Sequence, residues 1–303
     1  MGVDATAVLV DGPWRHRFVS ANGARFHVAE AGEGPLVVLL HGFPQTWWCW
    51  RHQIPALAQA GYRVAALDLR GYGASDKPPR GYDTPTLAAD VAAVVRSLGE
   101  PSATVVGHDW GGWIAWSMPA LEPGVTRAVA AVSMAHPLQL RRALLTSRAQ
   151  QQASSHIWGF QRPVLPERQL VRDGTVERLL TRWGGPGWPD DPDVVRHYAE
   201  AMRIPFVAHS SMEYYRWVVR SQVRHDGRSF LEAVDQPVTV PVLMVHGDLD
   251  PSILTATVDG SDRYVTGPLR RHVVAGAGHF VAEERPGEVT DVLLDWLAAD
   301  LPA

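Results

Sequence analysis

Short apolar runs rich in β-branched residues recur through the first half of the chain and return near its end, at Leu36–Leu40, Val64–Leu67, Thr104–Gly107, Ala128–Ser133, Val242–Val245 and His272–Val274. Runs of this kind, bounded by turn residues, predict strands covered on both faces of a parallel sheet. Two stretches before them, His16–Ser20 and Arg25–Glu30, are joined at Asn22-Gly23 and predict a short antiparallel pair. Helical spacing fills the gaps. Trp50–Ala60 predicts a helix stopped by Gly61. The clearest helix begins at Thr84, placed as its cap, has Pro85 in its first turn and ends at Gly99. Leu87, Val91, Val94, Val95 and Leu98 form its apolar stripe. A further helix starts near Gly111 and is ended or kinked by Pro119. The last, Glu288–Ala299, turns Val289, Val292, Leu293, Trp296 and Leu297 inward.

From His136 to about Asp235 the texture changes to Arg, Gln, Trp and Pro, with helical patches and no convincing buried strand. Candidate helices there are Leu138–Ser154, Glu167–Val171, Val176–Trp183, Asp193–Met202 and Ala208–Arg220. Strand–helix alternation on either side predicts an α/β protein with a mostly parallel, eight-stranded sheet flanked by helices. The expected organisation is a core domain of residues 1–136 and 236–303, with a helical cap, 137–235, inserted after the sixth strand. Such an insertion lies over the carboxyl ends of the strands, where open sheets of this type bind ligands.

The most informative stretch is Val105-Val106-Gly107-His108-Asp109-Trp110-Gly111-Gly112. A strand, a turn with Gly two residues either side of a central residue, and a helix make a nucleophile elbow. The central residue is usually Ser; in this chain it is Asp109. A carboxylate attacking an ester would give a labile anhydride, but it is well suited to displacement at a saturated carbon, such as an epoxide carbon or one bearing halogen. The product is an ester of the enzyme's own side chain, so water, a base and an oxyanion hole must follow. The competing reading is that Asp109 only caps the helix behind it.

Composition narrows the field. The chain has 303 residues, 46% hydrophobic and 20% charged, enough for one large domain with an insertion. A net charge of -4 gives no electrostatic reason to expect nucleic acid or an anionic membrane as a partner. The lone cysteine, Cys49, rules out an internal disulfide and fits a reducing, cytoplasmic setting. No secretory signal or bilayer-length apolar run is expected, although Met1–Thr6 loosely fits an acylation pattern best explained by chance. Monomer and homodimer both stay open.

Further motifs complete a candidate site. His41-Gly42-Phe43-Pro44 directly follows a strand, so the backbone N–H groups of Phe43 and Trp110 are the expected oxyanion donors. Gly276-Ala277-Gly278-His279-Phe280 follows the last strand, and its position late in the chain singles out His279 among 13 histidines as the base. In Gly247-Asp248-Leu249-Asp250 the spacing favours Asp250 over Asp248 as the acid that orients His279. A proton donor for a ring-opened alkoxide is available in Ser211-Met212-Glu213-Tyr214-Tyr215-Arg216-Trp217, although a tyrosine pair beside tryptophan also suits plain packing.

Together with Asp68-Leu69-Arg70-Gly71-Tyr72-Gly73-Ala74-Ser75-Asp76, these motifs resemble the epoxide hydrolase group of the α/β-hydrolases over nearly the whole chain. The resemblance implies that Tyr215, followed by Arg216, polarises the epoxide oxygen. A second lid tyrosine is usual a few residues before a Phe-Gln pair; Phe160-Gln161 is present, but His156 stands where the tyrosine belongs and becomes a candidate second donor. The implied pocket is lined by Trp110, Phe43, Trp158, Tyr214 and Phe280, and the implied partner is a small-molecule epoxide, with no metal or organic cofactor. Trp158, Trp183, Trp188 and Trp217 suggest a bulky or aromatic substrate, or core packing. Haloalkane dehalogenases share the Asp and His but need N–H donors for a halide; Trp110 fits, and Phe43 has no side-chain donor. Haloacetate dehalogenases place Arg where this chain has Trp110. A non-catalytic binding protein on the same fold would be expected to have lost one of Asp109, Asp250 and His279.

Overall fold

The computed structural model describes residues 3–300, so Met1 and Gly2 of the acylation-like pattern lie outside the described residues. Eight strands form one sheet: β1 (Arg15–Ala21), β2 (Ala24–Ala31), β3 (Leu36–Leu40), β4 (Arg63–Leu67), β5 (Ala103–His108), β6 (Thr126–Val132), β7 (Val242–Gly247) and β8 (Leu269–Val274). Their spatial order is β1-β2-β4-β3-β5-β6-β7-β8. β1 and β2 pair antiparallel, as do β2 and β4, and all remaining pairs are parallel. The buried runs behave as expected, with every residue of β3 and β5 inaccessible to solvent. Only the edge strand β8 was hard to delimit, because Leu269-Arg270-Arg271 pair with β7 while remaining largely exposed.

The core helices are α1 (Gln53–Gln59), α2 (Thr84–Ser97) and α3 (Trp110–Leu121). Between β6 and β7, among the described residues, come only helices: α4 (Pro137–Thr146), α5 (Arg148–Ala153), α6 (His156–Gly159), α7 (Leu165–Leu170), α8 (Thr175–Trp183), α9 (Pro192–Arg203), α10 (Val207–Arg220) and α11 (His225–Ala233), with a 3-10 turn at Ser221–Val223. The chain closes with α12 (Thr255–Asp259), α13 (Val281–Glu284) and α14 (Pro286–Asp300).

Several local expectations need correction. Asp83, not Thr84, caps α2: its extended backbone lets a carboxylate oxygen accept from Thr86 N at 2.9 Å, leaving Thr84 as the first helical residue. The single helix expected over 138–154 is two helices, because Ser147 is extended and its hydroxyl caps α5 through Gln150 N. Trp50–Ala60 resolves into a 3-10 turn at Trp47–Trp50 followed by α1. Pro119 sits inside α3 near its end without stopping it before Leu121.

The sheet and α3 approach one another very closely. A Cβ on Gly107 would lie 2.0 Å from the Gly111 carbonyl oxygen, and one on Gly111 would lie 2.2 Å from that of Leu40. Glycine at both positions is what lets the helix start directly above the carboxyl ends of β3 and β5. Gly111→Ala should therefore lower stability by about 1–3 kcal/mol or more, whereas Gly124→Ala, where the added methyl meets open space, should not do so. Urea midpoints of the two variants test this.

Candidate active site

Asp109 occupies the turn between β5 and α3 with φ 49 and ψ -115, a left-handed conformation that a non-glycine residue adopts only where its surroundings impose it. Those surroundings are visible: Asp109 N donates to Val132 O at 3.1 Å, Trp113 N donates to Asp109 O at 2.8 Å, and Gly111 N ties the turn to His41 O at 3.0 Å. The Asp109 side chain makes no capping hydrogen bond to α3, which disposes of the helix-cap reading. Instead, Oδ2 accepts from Phe43 N at 2.8 Å. Trp110 opens α3, so its backbone N–H belongs to the positive end of that helix beside the carboxylate.

His279, on the loop after β8, reaches Asp109 from the other side. Its Nε2 is 3.7 Å from Asp109 Oδ1, and its Nδ1 is 2.8 Å from Asp250 Oδ2. The other oxygen of Asp250 accepts from Ser252 N and Ile253 N at 2.8 and 3.1 Å. Asp248 instead accepts from Gly276 N at 2.7 Å and supports a surface turn, so the geometry separates the two candidate acids. Burial alone would disfavour the charged forms of Asp109 and His279. For His279 the neighbouring Asp250 and Asp109 carboxylates outweigh burial and raise the imidazole to about 10. For Asp109, burial is likewise outweighed, chiefly by His279, and the carboxyl is held below its ordinary 3.8. The charged forms of His279 and Asp109 thus favour one another. His108, just before Asp109, donates from Nε2 to the His279 carbonyl at 2.8 Å and steadies the same loop; burial lowers it to about 4, so it is neutral.

Opposite this group stands α10. The Tyr215 ring meets Trp110 edge-on, with centroids 4.8 Å apart, and likewise Phe43 at 5.6 Å and Phe160 at 4.9 Å. Burial, reinforced by the Asp109 charge, pushes the Tyr215 hydroxyl well above 10, so it is a protonated donor. Its position is set from behind: Gln161 Nε2 donates to Tyr215 O at 3.1 Å, and Arg216 donates to Arg162 O at 2.8 Å while pairing with Glu167 and Glu213. His156 packs 4.8 Å from Trp183 and 6.1 Å from Tyr215; burial lowers it to about 4, which leaves a neutral imidazole whose single N–H is given to the Ala153 carbonyl, so it has no free N–H for the site.

The remaining expected pocket residues divide. Tyr214 donates its hydroxyl to Arg70 O at 2.7 Å and packs 5.5 Å from Trp110, so it holds α10 on the core rather than presenting a hydroxyl to the site. Phe280 stacks on Trp188 at 4.7 Å, behind the histidine loop. Trp158 is 68% exposed and does not line the site, because it lies on the outward side of the short helix α6. Trp183, singled out from the sequence only as a lid tryptophan, does sit at the centre, with its ring 6.1 Å from Phe43 and 5.9 Å from His279. His108 and Gln161 stood inside motifs that the sequence marked, but nothing in the sequence pointed to their supporting hydrogen bonds.

Comparison with known proteins identifies the family. Residues 35–286 match the alpha/beta hydrolase fold family. The chain is 33% identical to epoxide hydrolase A of Mycobacterium tuberculosis, over 93% of this chain and 96% of that protein. Among solved structures it is similar to an epoxide hydrolase from an endophytic Streptomyces, with TM-score 0.82 and 32% identity over 95% and 96% of the two chains. It is also similar to a Bacillus megaterium epoxide hydrolase in complex with an inhibitor, with TM-score 0.79 and 29% identity over 93% and 99%.

The charge arrangement predicts a specific pH response. The folded-state His279 pKa lies above its ordinary 6.5, so its contribution to stability is complete below 6.5 and is lost as the pH rises through about 10. Asp109→Asn removes one of the two carboxylates and should lower the His279 pKa, moving the alkaline loss of stability to lower pH. NMR titration of the imidazole, with urea midpoints across the same range, checks this; an unchanged His279 pKa would contradict it.

Proposed function

The chain belongs to the α/β-hydrolase family, in its epoxide hydrolase group, and from that premise we propose that it opens an epoxide to a vicinal diol through an ester on Asp109. It is a hydrolase acting on ether bonds. The observation that carries the covalent reading is the buried Asp109 carboxylate, held by Phe43 N at 2.8 Å and flanked by His279, with the protonated Tyr215 packed on the opposite wall. The helices from 137 to 235 act in this reading as a cap domain on a core of 1–136 and 236–303.

The proton inventory closes in two steps. First, Asp109 Oδ attacks an epoxide carbon, the C–O bond breaks, and Tyr215 gives its proton to the departing oxygen. Asp109 is then a neutral ester, so the imidazolium loses the charge that helped to raise it. Its proton restores Tyr215. Neutral His279, oriented by Asp250, next takes a proton from water, and the hydroxide adds to the ester carbonyl. The backbone N–H groups of Phe43 and Trp110 hold the resulting oxyanion. Collapse expels the diol alkoxide, which takes the proton left on the Asp109 carboxyl. Carboxylate and imidazolium are regenerated, and one epoxide plus one water has become one diol.

A halide leaving group would need no proton but would need N–H side chains to solvate it. Trp110 offers one and Phe43 none, while Tyr215 is a proton donor. The walls contributed by Phe43, Trp110, Phe160, Trp183 and Tyr215 favour an aryl or bulky alkyl epoxide.

With styrene oxide and a bromoalkane offered side by side, diol should form and bromide should not be released. Asp109→Asn should abolish turnover, and His279→Gln should stop after the first step, leaving an alkyl-enzyme visible by intact-protein mass spectrometry. A single turnover in heavy-oxygen water with enzyme in excess should leave the label in the position-109 carboxyl; its absence would overturn the covalent route. Tyr215→Phe should slow alkylation by about 10²–10⁴-fold.

A further inference from the structure

Three consecutive backbone N–H groups of the base-bearing loop are committed to partners outside it. His279 N donates to Trp183 O, in the helical insertion, at 2.8 Å. Gly278 N and Phe280 N, on either side, donate to the two oxygens of the Glu284 carboxylate at 2.7 and 2.9 Å. The oxygen that receives Gly278 also receives Gly185 N, from the insertion, at 2.9 Å. One buried carboxylate therefore closes a ring of hydrogen bonds joining residues 183–185 to residues 278–280. The neighbouring Arg285 directs its guanidinium to the carbonyls of Glu284 and Gly276.

The approach is as close as backbone allows. A Cβ on Gly278 would lie 2.4 Å from Gly185 N and 2.6 Å from Trp183 O, and one on Gly185 would lie 2.6 Å from Glu284 Oε2. Trp183, at the end of this clasp, faces both His279 and Phe43. Replacing the carboxylate would strand buried donors on both sides of His279, so the backbone there must shift to find others.

We infer that Glu284 is a positioning residue: it locks the base loop to the helical insertion and fixes the His279 ring for attack of water on the ester. This rests on the covalent reading above. In the first chemical step His279 need only be a cation near Asp109, which tolerates small displacements. In the second it must hold a water in line with the ester carbonyl, where displacement of about an ångström costs roughly 100-fold. Loss of the clasp therefore acts on hydrolysis and spares alkylation.

Two variants test it, Glu284→Gln, which keeps one acceptor oxygen and introduces an unwanted donor, and Gly185→Ala, which pries the insertion from an intact carboxylate. With styrene oxide, alkylation is followed by tryptophan fluorescence and the ester by quenched-flow mass spectrometry. Both variants should slow ester hydrolysis roughly 10–100-fold while alkylation stays within about twofold, so that alkyl-enzyme accumulates and kcat and KM fall together. Equal slowing of both steps, slowing of neither, or failure of both variants to fold would reduce the clasp to plain structural support and overturn the inference. His279→Gln serves as the reference. If it accumulates ester and the two variants do not, this inference fails alone; if it too forms no ester, the covalent reading itself has failed.

Discussion

One buried cation serves two buried anions, and the rest of the site follows from that imbalance. His279 lies between Asp109 and Asp250, all three withdrawn from solvent. Burial favours the protonated form of a carboxyl; the neighbouring His279 imidazolium outweighs this and keeps Asp109 ionised. The same arrangement gives the histidine two different strengths. Beside a charged Asp109 it holds its proton tightly, and in the proposed covalent route an esterified Asp109 releases it to act as a base. In the proposed cycle no part has to move for this change, because bond formation at Asp109 alters the field by itself.

The fold supplies the rigidity that such a charge cluster requires. Asp109 is kept in a left-handed turn by hydrogen bonds to β6 and to the loop after β3, and glycines on either side let strand, helix and loop close to contact distance. Asp250 and His279 come from the loops after β7 and β8, next to one another at one side of the sheet. All of these groups emerge at the carboxyl ends of parallel strands, where loops converge above the sheet. The helical insertion faces them with the aromatic rings of Tyr215, Phe160 and Trp183.

Much of this was legible in the chain. The central strands follow from apolar runs, because strands buried on both faces have little freedom in composition, and β1 and β2 follow from one hairpin turn, whereas the exposed start of β8 does not show in the pattern. Asp109, His279 and Asp250 were identifiable by their spacing from strand ends, since the chemistry fixes both residue type and location. Helix boundaries in the insertion were harder. Its helices are short and partly exposed, so a local cap such as Ser147 decides where one stops, and periodicity does not show it. Side-chain direction was harder still. Trp158 turns outward and Trp183 inward, although both are tryptophans on neighbouring helices. Backbone partnerships, such as the donors gathered by Glu284, leave no trace in residue type.

The division of labour between sheet and insertion has an engineering consequence. Tyr215 is borne by α10, whereas Asp109, Asp250 and His279 stand on loops of the strand scaffold. In the proposed reaction, the group that assists departure of the leaving atom and the groups that restore the enzyme thus occupy separately encoded segments. Grafting a different helical segment between β6 and β7 offers a way to change which electrophile is accepted while keeping one regenerating apparatus, provided that the graft retains a backbone carbonyl and an amide able to meet His279 and Glu284.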